Sequence, residues 1–108
     1  MMRGYSEVSF LAEKMFMKLN LPENVAKGDN WADTSLDALL CKLDDEVEEL
    51  TKEISLADDV AGFERIIAEA ADVANFCAFI CARSRKAIRH AQDEEFRRKV
   101  EERSRASV

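Results

Sequence analysis

Two pairs of carboxylates carry the chemistry this chain can do. Glu46 and Glu49 stand three residues apart on one amphipathic stretch, and Glu69 and Asp72 stand three apart on another. The second pair is the more informative. Residues 66–82 (IIAEAADVANFCAFICA) are apolar at 14 of 17 positions, and the exceptions, Glu69, Asp72 and Asn75, recur at i, i+3 and i+6. At about 100° per residue these three form one polar ridge on a helix that is otherwise apolar nearly all round. Such a helix reads as buried. Carboxylates on a buried face are costly unless they are paired, protonated or bound to a metal.

The first pair matches the second. With Leu43 at 0° on a helical wheel, Val47 and Leu50 fall within about 40°, whereas Glu46, Glu49 and Glu53 lie on one flank at about −60°, −120° and −80°. Packing the two apolar faces together brings this flank to the ridge, so that four carboxylates converge. Like charges at close range raise each other's pKa, and a divalent cation among them relieves the repulsion. Oxygen ligands without His or thiolate select a hard ion, Mg2+ first and Mn2+ second, and Mg2+ held by a few carboxylates is an anchor for a polyphosphate. A di-iron bundle needs Glu-x-x-His, and the single His, His90, belongs to neither pair. Taken singly, each pair also reads as ordinary charge: Glu46 and Glu49 as a solvated flank, Glu69 and Asp72 as partners of Lys42, Lys52 or Arg65.

The elements that must position these groups are helices. The chain has 108 residues, 47% apolar and 35% charged, with three Gly and one Pro. That is one domain's worth of material, too apolar for disorder and too poor in turn-formers for a sandwich or barrel. Apolar spacing predicts a helix over about 6–20 that ends at Leu21-Pro22, then a connecting loop over 22–34. Thr34 with Asp37 resembles a capping box opening a second helix to about Ser55, whose stripe of Leu36, Leu39, Leu40, Leu43, Val47, Leu50 and Ile54 is close to a heptad seam. Asp58 or Asp59 caps a third helix to about Ile88, with Gly62 weakening its first turn. A tail over about 91–103, with Phe96 and Val100, is a short fourth helix or a frayed end.

Charge divides along the chain. Residues 1–82 hold 7 Lys/Arg against 17 Asp/Glu, a balance of −10, and residues 83–108 hold 9 against 5, or +4. An acidic body of this kind excludes binding to a nucleic-acid polymer through general basicity, and no stretch is apolar enough for a membrane. Cys41, Cys77 and Cys81, an odd number with one His, fit neither a disulfide framework nor a zinc site. They read as packing residues in a cytoplasmic protein. One short domain with a third helix apolar on nearly every side needs covering surface from a partner, so a homodimer at least is expected.

The order Glu46-x-x-Glu49, 19 intervening residues, Glu69-x-x-Asp72 resembles the paired acidic signature of the MazG-like, all-α nucleoside triphosphate pyrophosphohydrolases. WADTSLDALLCKLDDEVEEL over 31–50 and EAADVANF over 69–76 look like the family's two motif blocks, and the resemblance covers about residues 27–86. It implies a single four-helix-bundle-like domain over 1–108, completed by dimerisation, with a charged tail over 91–108. It also implies hydrolysis of (deoxy)nucleoside triphosphates between the α and β phosphates, in a homodimer or homotetramer that clears non-standard or surplus nucleotides. The implied Mg2+ ligands are Glu46, Glu49, Glu69 and Asp72. On chemical grounds apart from the resemblance, phosphoanhydride hydrolysis needs an activated in-line water, and Glu49 is the carboxylate expected to orient or deprotonate it.

Substrate contacts follow from residue type. Trp31, just before the metal-bearing helix, stacks on a base or caps the end of the core. Asn75, one turn beyond Asp72, reads a base or sugar edge or hydrogen-bonds Asp72. Lys27, Arg83 and Lys86 neutralise phosphate or remain solvated surface charges. A reading from another class also stands: the leucine seam over 36–54 and the apolar third helix make a non-catalytic dimerisation module.

Overall fold

Side-chain caps set the starts of the two long helices. Ser35 has an extended backbone (φ −65°, ψ 154°), and its hydroxyl accepts from the Ala38 amide at 3.2 Å. Asp59 likewise accepts from the Gly62 amide, at 2.7 Å. Each satisfies one of the orphan amides of a first helical turn. The cap thus falls one residue later than the expected Thr34, whose amide instead closes a turn onto the Trp31 carbonyl at 3.2 Å.

In the computed structural model, which describes residues 3–28 and 30–107, the chain is all-α, with no strand among the described residues. The elements are α1 (Tyr5–Leu19), α2 (Pro22–Lys27), a 3-10 turn (Asn30–Asp33), α3 (Leu36–Leu56) and α4 (Val60–Ala106). Where a loop is expected over 22–34, Pro22 instead starts α2. Its fixed φ and missing N–H suit the first turn of a helix. Gly28, at φ 64°, ends α2 in a conformation that side-chain-bearing residues rarely adopt.

The tail is neither frayed nor separate. α4 runs unbroken for 47 residues, about 70 Å at 1.5 Å per residue, and accounts for the 75 Å length of the molecule. No Gly or Pro follows Gly62 to break it. Beyond the packed region its exposed turns carry the pairs Arg97–Glu94, Lys99–Glu95 and Arg98–Glu102, at helical spacing. The radius of gyration is 20.0 Å, against about 13 Å for a compact chain of this length.

α1 and α3 both pack on α4, and α2 leans on the end of α1. Gly62 is buried where α3 crosses into α4: a Cβ there would lie 3.0 Å from Cα and Cβ of Ala57. The glycine expected to weaken α4 therefore permits the tight crossing. Among the described residues, Leu39 and Ala71 are the fully buried apolar ones. The expectation that residues 66–82 are buried all round does not hold for the single chain. Ile66, Val73, Phe76 and Ile80 are half-buried, while Cys77 and Cys81, like Cys41, are exposed rather than packed. The reason is geometric: two helices cover only part of the circumference of a third.

Candidate functional site

The pairing of α3 with α4 brings the acidic residues together. One carboxylate oxygen from each of Glu46, Glu49 and Glu69 can be chosen so that all three lie within 4.8 Å of one another. Glu46 and Glu69 are half-buried, and Oε2 of each is buried with no hydrogen-bond partner, whereas Glu49 is exposed. Asp72 stands one turn along α4 and accepts from Lys18 Nζ of α1 at 3.1 Å. Glu53, expected on the same flank, is drawn away by Arg65, whose Nε lies 3.2 Å from Glu53 Oε2.

The electrostatic consequence falls on Glu46. Burial first, then the charges of Asp72, Glu49 and Glu69, push its pKa from 4.5 up to about 7. Glu69 is raised by burial and by Asp72 and Glu49, with Lys18 acting against the rise. Lys18 thus compensates only part of the cluster's charge. Oxygen donors alone, two of them buried and unpartnered, suit a hard divalent cation in chemical type.

Next to the cluster lies a cleft of about 860 Å³. Glu46 and Asp72 line its acidic end, Trp31, Phe76 and Phe79 its aromatic end, and Asn75 lies between them. The 3-10 turn holds Trp31 parallel to Phe79, with ring centroids 5.0 Å apart and planes within 7°. Phe76 meets Phe79 edge-on at 5.5 Å. Trp31 therefore packs on α4 and borders the cleft as well. Asn75 does not bond Asp72; its Nδ2 donates to the Met15 carbonyl of α1 at 3.2 Å.

Of the lysines and arginines expected at phosphate, Lys27 lines the cleft, and Arg83 and Lys86 do not. They share the ridge's face of α4 but lie about 16 and 21 Å further along it than Asp72, past the aromatic end. Lys86 Nζ instead reaches Asp33 Oδ1 at 3.4 Å. Lys18 and Lys42 border the cleft in their stead. Phe79 has a readable signal, since it stands seven residues after Asp72 and so returns to the same helical face. Lys18 has none, because only the docking of α1 brings it to Asp72. No family model, curated protein or solved structure matches the chain.

Proposed function

We propose that the protein is a Mg2+-dependent nucleoside triphosphate pyrophosphohydrolase that converts its substrate to the monophosphate and pyrophosphate. The observation that carries this reading is the meeting of Glu46 and Glu49 with Glu69 beside Asp72, at the mouth of an aromatic cleft that also presents lysines. Glu46, Glu69 and Asp72, with Glu49, are the residues to hold Mg2+. The ion, when bound, neutralises phosphate charge and assists the in-line attack.

The chain's own groups divide the remaining work. Glu49, the exposed member of the cluster, takes the proton from the water that attacks the α-phosphorus; the α–β bridging oxygen leaves with pyrophosphate. Lys18, Lys27 and Lys42 border the cleft and offset the charge of the polyphosphate. Trp31 and the phenylalanines supply an apolar wall for the base.

A second copy of the chain belongs to this reading. The seam of α3 leaves Leu36, Leu40, Val47 and Ile54 between 42% and 58% exposed, at the heptad spacing of a helix awaiting a partner. The same seam favours a second reading, a dimerisation module without catalysis. Incubating the purified protein with Mg2+ and a panel of canonical and modified triphosphates separates the two. Release of pyrophosphate, lost in Glu46→Gln/Glu69→Gln, supports the enzyme; no pyrophosphate from any substrate at high protein concentration counts against it.

A further inference from the structure

α4 outruns the rest of the fold. It has 47 residues against the 21 of α3, an excess of about 39 Å of helix, and every residue from Arg85 to Ser107 is exposed. Residues 85–106 thus form an arm that packs on nothing in its own chain. Three large apolar side chains nevertheless stand on it: Ile88, Phe96 and Val100 are 58%, 70% and 46% exposed. With Ile88 at 0° on a helical wheel, Phe96 falls at about 80° and Val100 at about 120°. The same arc holds Lys99, Arg85, Arg103 and Arg89, at about 20°, 60°, 60° and 100°, whereas all five acidic residues of the arm fall outside it. The arm therefore has one face that is both apolar and basic.

The seam of α3 has the complementary character. On the wheel with Leu43 at 0°, Leu36, Leu40, Val47 and Ile54 lie between about 20° and 60°, and Asp44, Asp37 and Glu48 follow at about 100° to 140°. All seven are exposed, and neither these acids nor Arg85, Arg89 and Arg103 form an ion pair among the described residues. The lengths agree as well, since Leu36 to Ile54 and Arg85 to Arg103 each cover about 27 Å of helix. With no Gly or Pro after Gly62 to bend it, the arm cannot turn back onto its own α3. Cys77 and Cys81, both exposed, fall within about 20° of Ile88, so the arm's face continues the open side of the body. Two copies running antiparallel then lay each arm against the other's body. We propose that the arm of α4 docks on the α3 seam of a second copy, whose own arm docks in return. The apolar side chains close the seam, while Arg85, Arg89 and Arg103 meet Asp37, Asp44 and Glu48. The inference rests on the reading of the seam as an interface between copies, names what covers it, and is independent of catalysis.

The test is sedimentation velocity of the full chain and of variants whose altered side chains are all exposed, with helix content checked by circular dichroism. The wild type is expected to be a dimer at micromolar concentration. Arg85→Glu/Arg89→Glu/Arg103→Glu on the arm and Asp44→Lys/Glu48→Lys on the seam are each expected to raise the dimer Kd about 10-fold or more. Phe96→Gln, which alters no charge, is expected to do the same. An equimolar mixture of the two charge variants is expected to dimerise as the wild type does, because both of its arm–seam contacts again join opposite charges. A monomeric wild type overturns the arm docking and the second-copy reading together. A dimer that withstands both arm variants overturns the arm docking and leaves a dimer built on the seam alone. Charge variants that stay monomeric when mixed overturn the pairing of arm with seam.

Discussion

Lys18 Nζ of α1 stands 3.1 Å from Asp72 Oδ2 of α4, and both side chains are about a quarter exposed. It is the one cation in ion-pair contact with the acidic cluster among the described residues. The contact ties the position of α1 to the charge of the site. Asn24 secures the same turn, donating from Nδ2 to the Lys18 carbonyl at 2.6 Å.

Removing the ammonium exposes that coupling. Lys18→Met keeps most of the side chain's length and leaves Asp72, Glu46 and Glu69 without their counter-charge. In the absence of divalent cation the variant is expected to lose about 1 kcal/mol of stability. Added Mg2+ is expected to stabilise it more than it stabilises the wild type, because a ligand that binds only the folded state adds to stability. Urea unfolding with and without Mg2+ measures both terms.

The raised pKa of Glu46 gives a pH dependence of definite sign. Between about 4.5 and about 7 the folded chain keeps a proton on Glu46 that the unfolded chain has released, so this group's contribution is full below 4.5 and is lost as pH rises through 7. The raised pKa of Glu69 acts in the same direction. Glu46→Gln, which carries no charge at any pH, is expected to gain about 1–2 kcal/mol relative to the metal-free wild type between pH 5 and pH 8, after allowance for solvent screening. Urea midpoints of the two proteins across that range give the difference directly. An unchanged difference would mean that the four carboxylates do not interact in solution.

Glu49 carries the smallest structural burden of the cluster, being exposed. Glu49→Gln is therefore expected to leave the unfolding midpoint within about 0.5 kcal/mol of wild type and to reduce pyrophosphate release by about 100-fold or more. The rate is read from steady-state release, the midpoint from thermal or urea unfolding.

The aromatic end and the basic patch beyond it make a paired comparison. Phe79→Ala removes the ring under Trp31 and the edge contact with Phe76, and is expected to cost about 2 kcal/mol of stability and about 10-fold in nucleotide affinity. Arg83→Ala and Lys86→Ala lie past that end and are expected to change the KM of pyrophosphate release less than twofold. A larger loss in Arg83→Ala or Lys86→Ala than in Phe79→Ala would reverse the orientation of the nucleotide in the cleft.

Much of the site was legible because it depends on helical periodicity alone. The ridge of Glu69, Asp72 and Asn75 and the flank of Glu46 and Glu49 are angular facts of a 3.6-residue repeat, and they required only that the two apolar faces pack. Lys27 and Trp31 were legible as a cation and a ring just before the acidic helix, and both border the cleft. Arg83 and Lys86 share the same helical face but do not line the cleft, because angle says nothing about distance along the axis, and theirs carries them beyond the aromatic end.

Composition and local pattern by themselves determined that the chain is helical, where α3 starts to within a residue, and that its carboxylates come in two matching pairs, since these depend on neighbours a few residues apart. Only the tertiary structure decided that Lys18 meets Asp72, that Asn75 donates from its amide to α1, and that Glu53 pairs with Arg65. It also decided that the cysteines face outward. Those outcomes turn on which segments distant in the chain come to lie side by side, and on how much of a helix two others can cover, neither of which is encoded in any short window of residues.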